Sequence, residues 1–257
     1  MFNSTIMKTI LSALLIFFML VLGSCSGKKE ARPERPFDPK ESFIFANEQI
    51  EKKNYEDARA TLIEIKNKDT SRQIAPLAQL KIADSYIRQD EPERGIAEYQ
   101  TFLEEYPDNQ YAPYAQYQIA MVYFNKIQDA ERGYGYAEKA LKEFEKLKQM
   151  FPRNPYRDVL DLRINQCRNT LAEYEFLVGE FYYKKGSYYA AVERLKGLLK
   201  DYPEYKGKAK VLFYMGISYK NLGQNDKARE YLDRLIEKYP NNKIIKKAKK
   251  ALHNLKP

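Results

Sequence analysis

The sequence predicts an all-α solenoid of five helix-turn-helix repeats that is closed by a C-terminal capping helix. The first observation is a phased pattern, in which a small residue is followed by a second one after twelve positions and by a proline after twelve more. Where no insertion intervenes, neighbouring copies begin 37 residues apart, a period typical of helical repeat arrays. The second observation is a recurring Tyr-Pro turn. The complete triplets are Ala83–Gly95–Pro107, Gly179–Ala191–Pro203 and Gly216–Ala228–Pro240.

Each repeat is expected to consist of two antiparallel helices joined by a short turn. In the second copy, apolar residues at helical spacing predict a first helix over Leu77–Arg88 and a second over Gly95–Glu105. Pro92 is acceptable early in the second helix, because the first turn needs no backbone N–H. We expect the first small residue of a repeat to let its two helices approach closely. The second small residue is expected to do the same against the next repeat.

Two irregularities interrupt the repeat pattern. The segment Gln128–Gly135 is expected to enlarge the turn inside the third repeat. After Pro152 the apolar pattern continues without a break, which predicts one long helix over Tyr156–Lys184. We therefore assign repeats 1–3 to residues 41–155. Residues 156–257 are assigned to the long linking helix, repeats 4–5 and a capping helix over Ile244–Leu255.

The N-terminus has the pattern of a targeting segment. Lys8 precedes the apolar run Ile10–Leu22, which predicts a signal peptide over residues 1–24 and is too short to span a membrane. Leu-Gly-Ser before Cys25 resembles the lipobox of bacterial lipoproteins, which implies a covalent lipid on Cys25; ordinary cleavage beside an accidental cysteine is the alternative. Ser26 favours the outer membrane by resemblance to enteric lipoprotein sorting. Residues 25–40 are polar and rich in proline, and are expected to form a lipidated tether.

Composition and motifs argue against an enzyme. The chain carries a formal net charge of +9, but export makes a nucleic acid partner improbable. We find no phosphate-binding glycine loop, no metal-ligand spacing and no nucleophile motif, so we expect no catalytic residue, no metal and no cofactor besides the lipid. Cys167 is expected to be a buried small hydrophobe. The Lys243–Lys250 cluster is interpreted as a solvated face of the cap, with anionic headgroups or an acidic partner as the alternative.

The repeats resemble the tetratricopeptide (TPR) repeat, because Tyr86, Tyr123, Tyr182 and Tyr219 each follow the first small residue by three positions. A more specific resemblance lies in Leu171–Pro203, which contains Val-Gly-x-Phe-Tyr, Gly-x-Tyr-x-Ala-Ala, an arginine and a closing Tyr-Pro. This stretch is similar to the fourth repeat of the BamD (ComL) family of outer-membrane assembly lipoproteins. The first repeat departs from the pattern, since Thr70 stands in place of its closing proline.

The resemblance implies a lipid-anchored scaffold on the periplasmic face of the outer membrane. Its C-terminal repeats would bind a BamA-like β-barrel insertase through Arg194; the alternative for Arg194 is a solvated residue paired with Glu193 or Asp201. Its N-terminal repeats would receive unfolded outer-membrane protein segments on the face formed by the first helix of each repeat, although packing within the array is an equal alternative for each candidate. A different envelope adaptor, serving peptidoglycan or Tol-type machinery, is the alternative for the whole chain. The groove candidates are Asn47, Ile50, Asp84, Ile87, Tyr117, Met121 and Phe124.

Overall fold

The computed structural model describes residues 37–255, so the predicted signal peptide and Cys25 lie outside the described residues. Eleven α-helices and no β-strand occupy this described range. The helices are α1 (Pro39–Glu51), α2 (Tyr55–Lys68), α3 (Ala75–Arg88), α4 (Pro92–Glu105), α5 (Ala112–Asn125), α6 (Ala130–Met150), α7 (Arg157–Lys184), α8 (Tyr188–Asp201), α9 (Lys208–Asn221), α10 (Asn225–Lys238) and α11 (Ile245–His253).

The helices form an array of hairpins, since each one packs on the next along the chain. Five hairpins can be followed: α1 with α2, α3 with α4, α5 with α6, the C-terminal part of α7 with α8, and α9 with α10. Helix α11 packs on α10 and closes the array. All these helices lie in one compact unit that begins at Pro39. The predicted all-α solenoid with a capping helix is confirmed.

The helix boundaries agree closely with the sequence pattern. The predicted long helix over Tyr156–Lys184 is observed as Arg157–Lys184. The second helix of repeat two begins at Pro92, at the N-terminal position where proline costs no hydrogen bond. The capping helix is shorter than predicted and spans Ile245–His253. The boundaries that differ do so at helix ends, where caps and not periodicity decide the last residue.

The small residues allow close contact within each hairpin. A Cβ atom on Gly179 would lie 2.7 Å from Leu195 Cδ2, and one on Gly216 would lie 2.6 Å from Leu232 Cγ. These contacts confirm the role expected for the first small residue. The role expected for the second small residue is wrong at Gly95, whose nearest atoms belong to Ile87 and to the backbone oxygen of Ala83 in its own repeat. The two small residues therefore face each other across one hairpin.

The predicted enlarged turn in repeat three is also wrong. Helix α6 begins at Ala130, so most of the segment Gln128–Gly135 is helical and the extra residues lengthen α6 to 21 residues. The reason is a strong N-cap, because the Asp129 carboxylate accepts a 2.8 Å hydrogen bond from the backbone N–H of Arg132. Such a cap satisfies an orphan donor of the first turn and fixes the helix start.

A carboxylate replaces proline in the turn that ends the first repeat. Asp69 is buried and accepts backbone N–H bonds from Ile74 at 2.7 Å, Ala75 at 2.9 Å and Ser71 at 3.1 Å. These donors would otherwise be unpaired at the start of α3. The turn therefore lacks the closing proline at Thr70 but is stabilised by the hydrogen bonds of Asp69.

The apolar core is divided along helix α7. Its N-terminal half contributes Leu160, Ile164 and Cys167 to a cluster with α5 and α6. Its C-terminal half contributes Ala172 and Phe176 to a separate, larger cluster that includes residues of α8 to α11. One continuous helix thus belongs to two cores. The assignment of residues 41–155 and 156–257 to two functional halves stays a prediction.

Candidate partner-binding sites

Arg194 lies on α8 and pairs with the long helix. Its Nη1 atom donates a 3.1 Å hydrogen bond to Glu175 Oε2 on α7. The Arg194 side chain is 46% exposed and that of Glu175 19%, so this pair is screened by water and adds little to the free energy of unfolding. The alternative pairing with Glu193 or Asp201 is not observed: the ion pair of Arg194 is with Glu175, and Glu193 pairs with Lys196 at 2.9 Å.

An open cleft of about 590 Å³ surrounds Arg194. Its walls come from three successive elements, with Tyr134 on α6, Tyr182 on α7 and Tyr202 directly after α8. The cleft stays open near Gly197, because no atom lies within 4 Å of the position a Cβ would take there. A guanidinium has five N–H donors and Glu175 takes one contact, so donors remain for a second carboxylate. The cleft thus combines an anchored cation with aromatic walls.

Burial raises the pKa of two tyrosines of the cleft, Tyr134 and Tyr202. Desolvation is the largest cause that raises the pKa of Tyr134 and of Tyr202, and nearby carboxylates raise both further. Both phenols therefore stay neutral at physiological pH. Neutral phenols present an apolar ring together with an O–H donor, the combination found at many protein interfaces.

Exposed aromatic side chains mark the turn between α7 and α8. Phe181 is 55% exposed and Tyr189 is 69% exposed, although both are large and apolar. The ring of Phe181 meets Tyr182 edge to face at 5.8 Å. Phe181 belongs to the apolar pattern that predicts the long helix, and both residues lie in the family signature Leu171–Pro203. Neither was predicted as a contact residue, because helical periodicity does not tell which aromatic side chains of a turn remain uncovered.

The candidates on α1 divide into a buried and a partly accessible residue. Ile50 is 4% exposed and lies in the core, whereas Asn47 lines an apolar hollow of about 480 Å³ together with Ile44. The Asn47 side chain donates a 3.0 Å bond to the Phe43 carbonyl. Ile44 is 60% exposed and was not a sequence candidate. The hollow on α1 is thus lined by Ile44 and Asn47, together with the charged residues Glu48, Glu51 and Lys52.

The candidates on α3 have packing partners. The Asp84 carboxylate accepts hydrogen bonds from the phenols of Tyr99 on α4 and Tyr114 on α5, the latter at 2.8 Å. Burial first, and then the Asp84 charge, raise the pKa of both phenols. Ile87 lies against Gly95, where an added Cβ would approach its Cδ1 to 2.4 Å. Asp84 and Ile87 therefore both contribute to packing between helices.

The candidates on α5 contact Tyr156, directly before α7, and the first half of that helix. The rings of Tyr117 and Tyr156 are stacked, with centroids 4.0 Å apart and planes 4° apart. The guanidinium of Arg163 lies 4.7 Å from the Phe124 ring. Met121 is half-buried against the same cluster. A ligand on this face would meet side chains of both helices. The peptide groove itself stays a prediction.

Cys167 is the free cysteine of the described residues and is fully buried. Burial raises the pKa of its thiol to about 12, so the group remains protonated and inert. Within residues 37–255, no cluster of three potential metal ligands occurs. In the same range, no helix is long and apolar enough to cross a membrane.

The array of helical hairpins defines an all-α, TPR-like solenoid, and an aromatic cleft surrounds its Arg194. The chain belongs to the YfiO family, described as outer membrane lipoprotein, whose model matches residues 36–235. The outer membrane protein assembly factor BamD of Rickettsia prowazekii is 28% identical over 248 residues, covering 95% of this chain and 97% of that protein. BamD of Vibrio cholerae is 24% identical and covers 84% and 92%. Among solved structures, the TPR2AB domain of yeast Sti1 in its pHSP90 complex has a TM-score of 0.43, 16% identity and coverage of 79% and 78%.

Proposed function

We propose that this chain is a non-enzymatic scaffold of outer-membrane β-barrel assembly. It binds a BamA-like insertase through its C-terminal repeats and unfolded outer-membrane protein segments through its N-terminal repeats. The observation that carries this proposal is the match to assembly factor BamD proteins over nearly the whole length of both chains. No nucleic acid partner is proposed.

The C-terminal part of the proposal is supported by the cleft around Arg194. Glu175 holds the guanidinium at 3.1 Å, which orients it before a partner arrives and lowers the entropy lost on binding. Arginine binds carboxylates through two parallel hydrogen bonds, so an acidic side chain of the insertase is the partner we propose for it. The tyrosines of the cleft supply apolar contact area around this charge pair.

The N-terminal part is supported by the surface of α1 and by the aromatic cluster of α5. Ile44 and the hollow beside it offer exposed apolar area at the first helix of the array. Tyr117 and Phe124 are half-buried, so part of each ring remains accessible. Aromatic rings bind extended peptides with little loss of side-chain entropy. These features suit unfolded segments that are rich in apolar side chains.

We infer that a lipid on Cys25 anchors the chain to the outer membrane with the repeats in the periplasm. The support is the lipobox-like Leu-Gly-Ser-Cys sequence and the family description as outer membrane lipoprotein. Several acyl chains give stable membrane attachment at about 0.8 kcal/mol for each buried CH₂ group. The proposed tether over residues 25–40 connects this anchor to α1.

Affinity purification after mild crosslinking tests the proposal. The tagged chain is expected to recover a BamA-like barrel protein from envelopes, together with outer-membrane protein precursors. Recovery of peptidoglycan-associated or Tol-type proteins without any barrel insertase would contradict the proposal and favour the alternative adaptor. Depletion of the chain is expected to lower outer-membrane protein levels, and normal levels after full depletion would count equally against it.

A further inference from the structure

Five lysines form a dense basic surface at the C-terminal end of the array, which we call the basic cap. All five are exposed, and the segment Lys243–Leu255 contains no acidic residue. Four of them lie on α11 and one lies just before it. The residues of the basic cap are Lys243, Lys246, Lys247, Lys249 and Lys250.

The charge of the basic cap is not neutralised by neighbouring side chains. No ion pair between residues of the described range 37–255 includes a cap lysine. Helix α10, on which α11 packs, carries four acidic and four basic residues and has no net charge of its own. Like charges this close repel one another, so a surface of opposite charge is attracted to the cap.

The fold presents this surface rigidly. Ile245, Ala248 and Leu255 are buried in the core shared by α8 to α11, so the apolar side of α11 is already occupied. The helix is therefore not free to insert into a bilayer, and only its lysine face remains accessible. Lys246 and Lys247 also lie in the first turn, where the helix dipole adds to the positive potential.

The composition of the basic cap favours a lipid surface over an acidic protein. Its cations are all lysines, which act as mobile, hydrated point charges, whereas protein interfaces are enriched in arginine and depleted in lysine. No tyrosine or phenylalanine occurs in Lys243–Leu255 to act as an interface anchor. The family consists of outer membrane lipoproteins, and an attached lipid holds such a protein next to a bilayer.

We propose that the basic cap docks on the anionic phospholipid headgroups of the membrane to which the chain is anchored. The acyl anchor holds the chain at the bilayer, which makes this second contact intramolecular and raises its effective concentration. Each lysine near an anionic surface strengthens such a contact by about five-fold. The inference rests on the membrane anchorage proposed above, and it adds a fixed orientation of the C-terminal repeats relative to the bilayer.

The experiment uses the full acylated chain reconstituted in two kinds of vesicle, phosphatidylcholine alone or with about a third phosphatidylglycerol. A fluorophore is attached at Asn254→Cys, and a quencher is placed on the lipid headgroups. Cys167 does not react with the label, because it is fully buried and protonated. Vesicle flotation, measured first, reports the acyl anchor separately, so a failed anchor is not mistaken for a failed cap contact.

Quenching is expected with phosphatidylglycerol and not with phosphatidylcholine alone, and raised salt is expected to abolish it. Replacing Lys246, Lys247, Lys249 and Lys250 by glutamine is expected to weaken the contact by a factor on the order of several hundred. The matched control replaces four exposed lysines elsewhere by glutamine and is expected to keep the contact. The control positions are Lys142, Lys146, Lys200 and Lys206.

Two results would overturn the proposal. The first is quenching that does not depend on phosphatidylglycerol or on the cap lysines. The basic cap would then be only a solvated surface of α11. The other is a cap that ignores phosphatidylglycerol vesicles but is shielded in envelopes containing partner proteins, which would assign the surface to an acidic protein instead. Circular dichroism of both glutamine variants checks that the helices are intact.

Discussion

The phenol of Tyr114 on α5 donates a 2.8 Å hydrogen bond to the carboxylate of Asp84 on α3. The Tyr99 phenol on α4 donates to the same carboxylate oxygen. One charged acceptor thus connects both helices of the second repeat to the first helix of the third. Because the carboxylate is partly buried, its hydrogen bonds are stronger than they would be in water.

Replacing Asp84 by asparagine is expected to lower the free energy of unfolding by about 2 kcal/mol, because the two phenols then donate to a neutral amide oxygen and not to a charged carboxylate. Urea denaturation measures this change. Asp108→Asn, on the exposed turn after α4, is the matched control and is expected to be nearly neutral. If the changes in the free energy of unfolding caused by Asp84→Asn and Tyr114→Phe were additive in the double variant, the energetic coupling inferred from the structure would be refuted.

Arg194→Glu is expected to weaken association with the insertase at least ten-fold, about 1.4 kcal/mol, because a carboxylate replaces the donor of the proposed contact. Arg194→Lys is expected to weaken it less, since lysine keeps the charge but loses bidentate geometry. Surface plasmon resonance with the partner's periplasmic domains measures both. Arg168→Glu is the matched control, because Arg168 forms a similar exposed interhelical pair with Glu145 at 2.7 Å. Equal affinity for the wild type and Arg194→Glu would remove Arg194 from the interface.

Two glycines on neighbouring helices are expected to respond oppositely to a larger side chain. Gly179→Val forces atoms into the space filled by Leu195 and is expected to lower the free energy of unfolding by about 1–3 kcal/mol. Gly197→Ala meets no atom within 4 Å and is expected to raise it by about 0.5–1 kcal/mol, through helix propensity. Thermal denaturation followed by circular dichroism distinguishes them. Destabilisation of similar size at both positions would mean that close approach is not the role of Gly179.

Cys167→Ser is expected to lower the free energy of unfolding by about 1–3 kcal/mol, because a hydroxyl enters an apolar site. Burial raises the folded-state pKa of the thiol from 9.0 to about 12, so its contribution is intact below pH 9 and is lost as the pH rises towards 12. Denaturation of the wild type and of Cys167→Ala across this range isolates the effect. Rapid reaction of the native thiol with a maleimide at neutral pH would contradict the buried site.

Cys25→Ser is expected to release the chain from membranes, because a serine hydroxyl cannot carry the proposed thioether-linked lipid. Fractionation of envelopes after a salt wash measures the membrane-bound share. Ser26→Ala is the control and is expected to keep the anchor. Full retention of Cys25→Ser in the membrane would mean that partners or an uncleaved signal hold the chain there.

The sequence predicted the helices well because small residues, prolines and apolar spacing are local features. It failed where a contact joins distant elements. The alternative for Arg194 was a pair with Glu193 or Asp201 on its own helix, yet it pairs with Glu175 across the hairpin. Tyr117 and Phe124 were selected as groove residues, but the rotation of α7 that brings Tyr156 and Arg163 against them cannot be read from periodicity. Likewise, the exposure of Phe181 and Tyr189 depends on which neighbours fail to cover them.

The continuity of helix α7 has a geometric consequence for its two cores. Cys167 belongs to one core and Ala172 to the other, and four helical residues lie between them. Each residue of an α-helix turns the chain by about 100° and advances it by about 1.5 Å. One residue inserted between these positions would therefore rotate the repeats that follow by about 100° around the axis of α7. The number of residues in α7 therefore fixes the angle between the surfaces of the repeats before it and those of the repeats after it.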